Sequence, residues 1–284
     1  MINKLCIVGV GLIGGSLARA LRAAGQVREI VGYGRRPNAL QRAVELDVID
    51  HAEVTLAAAV QGADVVVLAV PVGAMAGILT ELGRLSFDGI VTDAGSTKGN
   101  VVAAARTALG TRFPHFIPGH PIAGTEQSGV EASQAGLFRG RRVILTPLPE
   151  TSTQALGRAR ALWEATGAEV IEMSVEEHDR ILAASSHLPH MLAYMLVDML
   201  VRRDDHRAVF AASAGGLRDV TRIAASDPVM WRDICLANRE ALLAVLAQYR
   251  DELGTLMAAI ERGDGKWLED TFARAKRTRE TLNE

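Results

Sequence analysis

The sequence predicts an α/β domain over residues 1–173, a parallel sheet with helices on both faces, followed by an all-α domain over residues 174–284. Three observations predict it. Short β-branched runs alternate with helical runs through the first half. A glycine-rich turn directly follows the first of those runs. After Ser174 no convincing strand pattern returns.

In chain order, Leu5–Val8 is an apolar run of the length of a buried strand, and Ser16–Ala24 follows with helical spacing. Glu29–Tyr33, Val65–Val70 and Ile90–Asp93 repeat the strand signal, and Asn38–Leu46, Val72–Leu82 and Gly99–Leu109 repeat the helix signal between and after them. Strands apolar on both faces belong to parallel sheets covered on both sides. Val143–Thr146 reads as a further strand, and the helix Thr151–Thr166 and strand Ala168–Met173 are expected to finish the same layer. Beyond it, Glu177–Val201, Pro228–Leu256 and Lys266–Thr281 read as long amphipathic helices. Met191, Met195 and Met199, with Leu192 and Leu196, form a stripe at i, i+4 spacing, which is read as helix packing rather than a cofactor contact. Helices this apolar in so small a domain need a partner surface, and a homodimer is the simplest one.

Composition bounds the function. The chain has 284 residues, 49% hydrophobic and 23% charged, in the range of a soluble globular protein. A net charge of -2 supplies no global basic field for nucleic acid or an anionic membrane. The longest weakly polar run, Val65–Leu79, is broken by Pro71, Gly73 and Gly77 and is shorter than the roughly 20 residues of a spanning helix. The first strand begins almost at Met1, so no leader is expected. Two cysteines, Cys6 and Cys235, make neither a disulfide framework nor a metal cluster, and a cytoplasmic location is expected. The seven histidines are scattered, and no Cys/His/Asp spacing calls for a metal.

Gly9-Val10-Gly11-Leu12-Ile13-Gly14 follows the first strand and opens the first helix, the context in which G-x-G-x-x-G binds a dinucleotide. Gly9 permits the tight turn, Gly11 lets a pyrophosphate approach the backbone, and Gly14 lets the helix pack on the sheet. The domain is therefore Rossmann-like. An NAD enzyme places an acidic side chain at the end of the second strand for the ribose 2′-OH. Here that place is Gly34, followed by Arg35 and Arg36, a set that suits a 2′-phosphate, so NADP is favoured over NAD. The alternative is that the two arginines belong to a solvated loop. Val70 and Pro71, closing the third strand, complete the cofactor set.

Three further segments carry chemistry. Asp93–Gly99 lies at the carboxyl end of a strand, where open α/β sheets place ligands. Gly119-His120-Pro121 sets a histidine in a loop between a glycine and a proline. Ser185-Ser186-His187-Leu188-Pro189-His190 lies in a helical run where Pro189 frees a carbonyl near Ser185, so a kink is expected. His187 and His190 share a helical face, and from spacing alone they could equally be satisfied core histidines. Histidine suits the proton transfer that accompanies hydride loss from an alcohol. His51, His115, His178 and His206 have no such context.

These segments, with Val143–Pro147 and Thr221–Asp233, make the chain resemble the prephenate/arogenate (cyclohexadienyl) dehydrogenase family along nearly its whole length. The resemblance implies an NAD(P)-dependent oxidative decarboxylation of prephenate, arogenate or both in tyrosine biosynthesis, in a Rossmann-like domain followed by a helical dimerisation domain. It makes His120 the catalytic base and Ser96 the residue that orients it and contacts the substrate hydroxyl. Arg222 and His190 would hold the carboxylates and side chain. His187, Thr125 and Glu126 would line the pocket, Arg218 and Asp219 would form a charged pair at its mouth, and Trp231 would be part of its wall, from its own or a second subunit. Read without the resemblance, Arg222 could cap a helix or pair with Asp219, Trp231 could be core, and Glu126 and Arg218 a surface pair. No certain acidic partner for an ammonium is seen in residues 211–216, which favours prephenate or dual use. The chain ends at Glu284 without room for a regulatory domain, so tyrosine is expected to act, if at all, at the active site. Two alternatives stand beside this reading: a β-hydroxyacid dehydrogenase or imine reductase, and a non-enzymatic NADP-binding sensor.

Overall fold

The computed structural model describes residues 1–125 and 127–281. By their contacts the residues form two compact units, Met1–Arg239 and Glu240–Glu284. In the first, β1 (Ile2–Val8), β2 (Val27–Tyr33), β3 (His51–Ala52), β4 (Val65–Leu68), β5 (Ile90–Asp93) and β6 (Phe116–Ile117) form one sheet in the order β3-β2-β1-β4-β5-β6. All its pairings are parallel, with Leu5 opposite both Ile30 and Val65. The connecting helices are α1 (Leu12–Ala23), α2 (Pro37–Glu45), α3 (Leu56–Val60), α4 (Val72–Gly83) and α5 (Gly99–Leu109).

Alternate residues of each strand feed two cores, as a period of two requires. Leu5 and Ile7 join Leu17, Leu21, Ile30 and Val67 on one face. Cys6 and Val8 join Val31, Leu68, Met75 and Leu79 on the other. The chain leaves β1 for β2 on one side and later fills the other side with β4, so the order reverses beside β1. Val8 and Leu68 lie paired at that switch point, where a parallel α/β sheet opens a crevice beyond its carboxyl ends.

One expectation is corrected here. The strands read at Val143–Thr146 and Ala168–Met173 exist as β8 (Arg142–Leu145) and β9 (Glu169–Glu172), but they do not extend the first sheet. They form a second, three-stranded sheet with β7 (Gly119–Pro121), which carries His120. Pro118 separates β6 from β7 and has no N–H to continue the parallel ladder. The chain turns there, and β7 pairs antiparallel to β8, with His120 opposite Ile144. His120 is therefore on a short strand, not in a loop. The helix α6 (Thr153–Glu164) joins β8 to β9 and buries Trp163 against Phe138.

The remaining chain is helical: α7 (Val175–Leu182), α8 (Leu188–Val201), α9 (His206–Ala211), α10 (Gly215–Thr221), α11 (Pro228–Ala237), α12 (Arg239–Glu261) and α13 (Gly265–Thr281). Ser174 caps α7 by accepting from the Glu177 amide at 3.1 Å, and Asp227 caps α11 through Met230 at 2.8 Å. The run read as one helix from Glu177 to Val201 is interrupted by a π-helical turn at Ala183–His187. It lies where Pro189 withholds a donor from the Ser185 carbonyl, the physical cause anticipated for a kink. Met195 and Met199 are exposed on α8, whereas Met191 packs beside Trp231. No helix of the described residues is long and apolar enough to cross a membrane.

Candidate active site

The glycine turn fits a pyrophosphate on geometric grounds. Gly9 has φ +97°, and a Cβ there would lie 2.5 Å from the Ala69 carbonyl oxygen and 2.7 Å from Val70 Cγ1. A Cβ on Gly14 would lie 2.3 Å from the Gly9 oxygen, so α1 can sit this close to β1 only with glycine. Gly11 instead faces open space. It precedes α1, whose first amides have no side-chain cap, which leaves N–H groups and the positive end of the helix dipole for an anion. Leu12 and Ile13 are half-buried in that first turn, and Val70 and Pro71 continue from β4 beside it. Gly34 is half-buried at the end of β2. Arg35 and Arg36 are exposed, and neither makes an ion pair among the described residues.

His120, the candidate base, hangs on a chain of part-buried hydrogen bonds. His120 Nδ1 lies 2.9 Å from His178 Nε2, and His178 Nδ1 lies 2.8 Å from Asp179 Oδ1. Asp179 also accepts from the Lys98 and Gly99 amides, each at 2.8 Å, so a carboxylate from α7 caps the N-terminus of α5. Burial works against its ionisation, but the His178 bond and those two amides outweigh it and hold Asp179 below the usual carboxylate range. A carboxylate only accepts, so His178 carries its proton on Nδ1 and offers Nε2 as an acceptor. His120 then donates from Nδ1 and keeps an unprotonated Nε2. Burial, reinforced by His178, Lys98 and His187, pushes the His120 pKa well below its ordinary value, so this lone pair is free near neutral pH.

Lys98 braces the arrangement from below. It is fully buried, and its Nζ donates to Asp93 and, at 2.6 Å, to the carbonyl of Gly119, the residue before His120. Asp93 in turn accepts from the Gly95 and Gly119 amides. Burial lowers the Lys98 pKa and the Asp93 carboxylate opposes that fall.

A second cluster lies on the helices. His190 stacks on Trp231 with ring centroids 3.7 Å apart, and His187 meets the same indole edge-on at 6.0 Å. Trp231 is buried with Val72 and Ile234 of its own chain. Burial lowers the pKa of His190, the Ser186 carbonyl opposes this, and the nearby Arg222 guanidinium adds to it.

The histidine of the second sheet and the histidines of the helices thus meet beyond the carboxyl ends of the parallel strands, where a dehydrogenase holds its substrate. Residues 17–172 match the family model for the prephenate dehydrogenase nucleotide-binding domain, and residues 174–274 match the prephenate dehydrogenase dimerization domain. The chain belongs to the prephenate dehydrogenase family. It is accordingly an oxidoreductase. It is 38% identical over 283 residues to the cyclohexadienyl dehydrogenase of Zymomonas mobilis, covering 99% of this chain and 96% of that protein. The crystal structure of A. aeolicus prephenate dehydrogenase in complex with hydroxyphenyl propionate and NAD+ superposes with a TM-score of 0.94 at 38% identity, covering 99% of both chains. Synechocystis arogenate dehydrogenase superposes at 0.81 with 29% identity, covering 98% of this chain and 99% of that one. The match over both halves of the chain sets aside the hydroxyacid dehydrogenase, imine reductase and sensor alternatives.

Against this family frame the remaining expected residues fall unevenly. Ser96 is half-buried beside His187, and the bond to His120 Nδ1 comes from His178 instead. Ser96 is therefore not what orients the His120 ring. Thr125 is exposed, and its hydroxyl accepts from the Gln127 amide at 3.2 Å. Glu126 lies outside the described residues. Arg218 and Asp219 are both exposed on α10 and form no ion pair with each other. Arg222 is exposed at the foot of α10, close to His190. Sequence reasoning missed His178, Asp179, Lys98, Asp93 and Asn238 as individuals. Asp93 and Lys98 lay inside a stretch already singled out. No group of three or more His, Cys, Asp or Glu among the described residues is placed to hold a metal ion.

Proposed function

We propose that this chain oxidatively decarboxylates prephenate, with arogenate as a second substrate, using NADP in preference to NAD. The observation that carries the reading is the Asp179–His178–His120 chain, which leaves an unprotonated Nε2 on a half-buried histidine. A dinucleotide held on the Gly9–Gly14 turn and the first amides of α1 would supply the hydride acceptor. His120 Nε2 takes the proton of the substrate's 4-hydroxyl as that hydride leaves C4. The bond from C1 to its carboxylate breaks, the electron pair enters the ring, carbon dioxide departs, and the ring becomes aromatic. The proton on His120 returns to the new phenolic oxygen. Ser96 contacts the reacting hydroxyl, while Arg222 and His190 bind the carboxylate and side chain, with His187, Thr125, Glu126 and Trp231 around them and Arg218 and Asp219 at the entrance.

NADP preference is supported by the glycine at position 34 and by two exposed arginines without acidic partners. The working protein is a homodimer, supported by the dimerization-domain match and by the exposed Met195 and Met199 of α8. A boundary near residue 173 divides the cofactor-binding from the substrate-binding part, in line with the limits of the two family matches.

The test is reduced-cofactor formation with each substrate against each cofactor. Turnover of prephenate faster with NADP, and a loss of that preference in the R35A/R36A variant, support the proposal. Faster turnover with NAD overturns the cofactor assignment. Silence with both substrates, from protein that binds cofactor, overturns the activity.

A further inference from the structure

Asn238, at the C-cap of α11, is buried, and its Nδ2 contacts two partners. It lies 2.8 Å from the backbone carbonyl oxygen of Asp179 and 3.1 Å from His187 Nδ1. A carbonyl can only accept, so the atom facing Asp179 must be the amide nitrogen. That fixes the amide orientation, which distances alone do not. The two N–H bonds of one NH₂ group then serve the two partners, and His187 Nδ1 must be an acceptor. The His187 proton is therefore on Nε2. A second proton would set an N–H against an N–H. Burial works in the same direction and takes the His187 pKa to about 4. The groups facing the ring are Asp179, which favours its protonation, and His178 and His190, which oppose it.

The Nε2 nitrogen has no hydrogen-bond partner and is buried, on a residue only 1% exposed. The Ser96 backbone beside the ring favours its protonated form, but it does not reach hydrogen-bond geometry at Nε2. A buried donor left unmet is costly, and proteins retain such a group where a ligand completes it. The ring also lies within the field of His120. We propose that Asn238 is a positioning residue that locks His187 as a permanently neutral Nε2–H donor, and that this donor is completed by an oxygen of the bound ligand at the reacting end of the site. The donor's neutrality matters beside His120. A cation there would depress the base further and would hold an anion more tightly than a neutral donor does. The oxygen could belong to the substrate ring or to the nicotinamide carboxamide. The chemistry is the same for both, and the identity of the substrate rests on the reading above.

The test uses the full chain labelled with 15N-histidine, with the His187 signals assigned by their loss in H187N. In free protein at about pH 7 the shifts should report a neutral ring protonated on Nε2. Addition of NADP alone and of 4-hydroxyphenylpyruvate alone, in separate samples, should move the Nε2–H signal with one of them, and that one supplies the oxygen. In N238D a carboxylate replaces the amide donor, so the ring should become doubly protonated near neutrality, and kcat/KM should fall about tenfold, because a cation beside His120 weakens the base by about one pKa unit. A ring protonated on Nδ1, or a charged ring, in the wild-type protein overturns the proposal. So does an Nε2–H signal that neither ligand moves, or an N238D enzyme with a charged ring and unchanged kcat/KM. The tautomer is read without substrate, so it stands or falls apart from the assigned activity, and it needs no variant of Asn238 that folds.

Discussion

Asp179→Asn should abolish most turnover while leaving substrate binding nearly intact. The Lys98 amide and His178 Nδ1 both meet Oδ1, and the Gly99 amide meets Oδ2, so the single oxygen of asparagine can serve only one of the two places. At Oδ1 it keeps the Lys98 and His178 bonds, and its NH₂ then opposes the Gly99 N–H. With the amide turned, NH₂ faces His178 Nδ1, the His178 proton moves to Nε2, and His120 Nδ1, 2.9 Å away, must accept in turn. In either arrangement the protonated relay loses its carboxylate partner, at about 1.5–3 kcal/mol for a hydrogen bond to a charged group. That is a fall in kcat of about 10- to 10²-fold. KM should change little, since Asp179 is separated from the substrate by two rings. Steady-state kinetics on the variant, with circular dichroism to check the fold, decides the matter. A folded D179N enzyme that keeps kcat within about threefold of wild type would refute the relay.

Two further outcomes follow from the buried charges and rings. His120, His178, His187 and His190 all have folded pKa values depressed below 6.5. Each contributes stability that is fully present above the unfolded value and lost as pH falls from there to the folded value, because the unfolded chain gains the proton first. For His187, a fall from 6.5 to about 4 corresponds to roughly 3 kcal/mol, so urea midpoints should drop steeply between about pH 6.5 and pH 4; a flat midpoint over that range would mean the rings protonate without penalty. Lys98→Met should cost about 3–5 kcal/mol by stranding the Asp93 carboxylate, and D93N/K98M should recover much of it. Equal losses in the single and double variants, measured by urea unfolding, would show that the ion pair is not what the site depends on.

The cofactor half of this architecture was legible because its physics is local. Val65–Leu68 and Ile90–Asp93 are buried on both faces, and such runs have few other places to go. Gly9 and Gly14 are legible for the same reason, since their roles are settled by backbone atoms a few residues away. The short strand β7 was not. Gly119-His120-Pro121 has no alternation to read, and it is a strand only because β8, more than 20 residues later, pairs with it. His178 was hidden by its neighbours. Glu176, Glu177, Asp179 and Arg180 give α7 the look of a solvated helix start, although His178 and Leu182 stand at i, i+4 and are both buried. Asp179 caps a helix eighty residues upstream, and no local pattern announces that. The shared face of His187 and His190 was legible too, because residues three apart lie on one side of a helix, and both rings reach the Trp231 indole.

The charge distribution of the site makes sense for a decarboxylation. The reaction needs a base at one end of the ring and must release a carboxylate at the other. A fixed cation pressed against that carboxylate would stabilise the ground state and slow its loss. Among the described residues the one fully buried cation, Lys98, is spent internally on Asp93 and the Gly119 carbonyl. The four histidines around the site have their charged forms disfavoured, chiefly by burial. Arg222 sits at the exposed side near His190, where solvent screens it. The site can therefore orient anionic groups through neutral donors and one screened guanidinium. An H190K variant tests this: a lysine at that place should tighten KM for the substrate and lower kcat, the reverse of what removal of a simple binding residue would give.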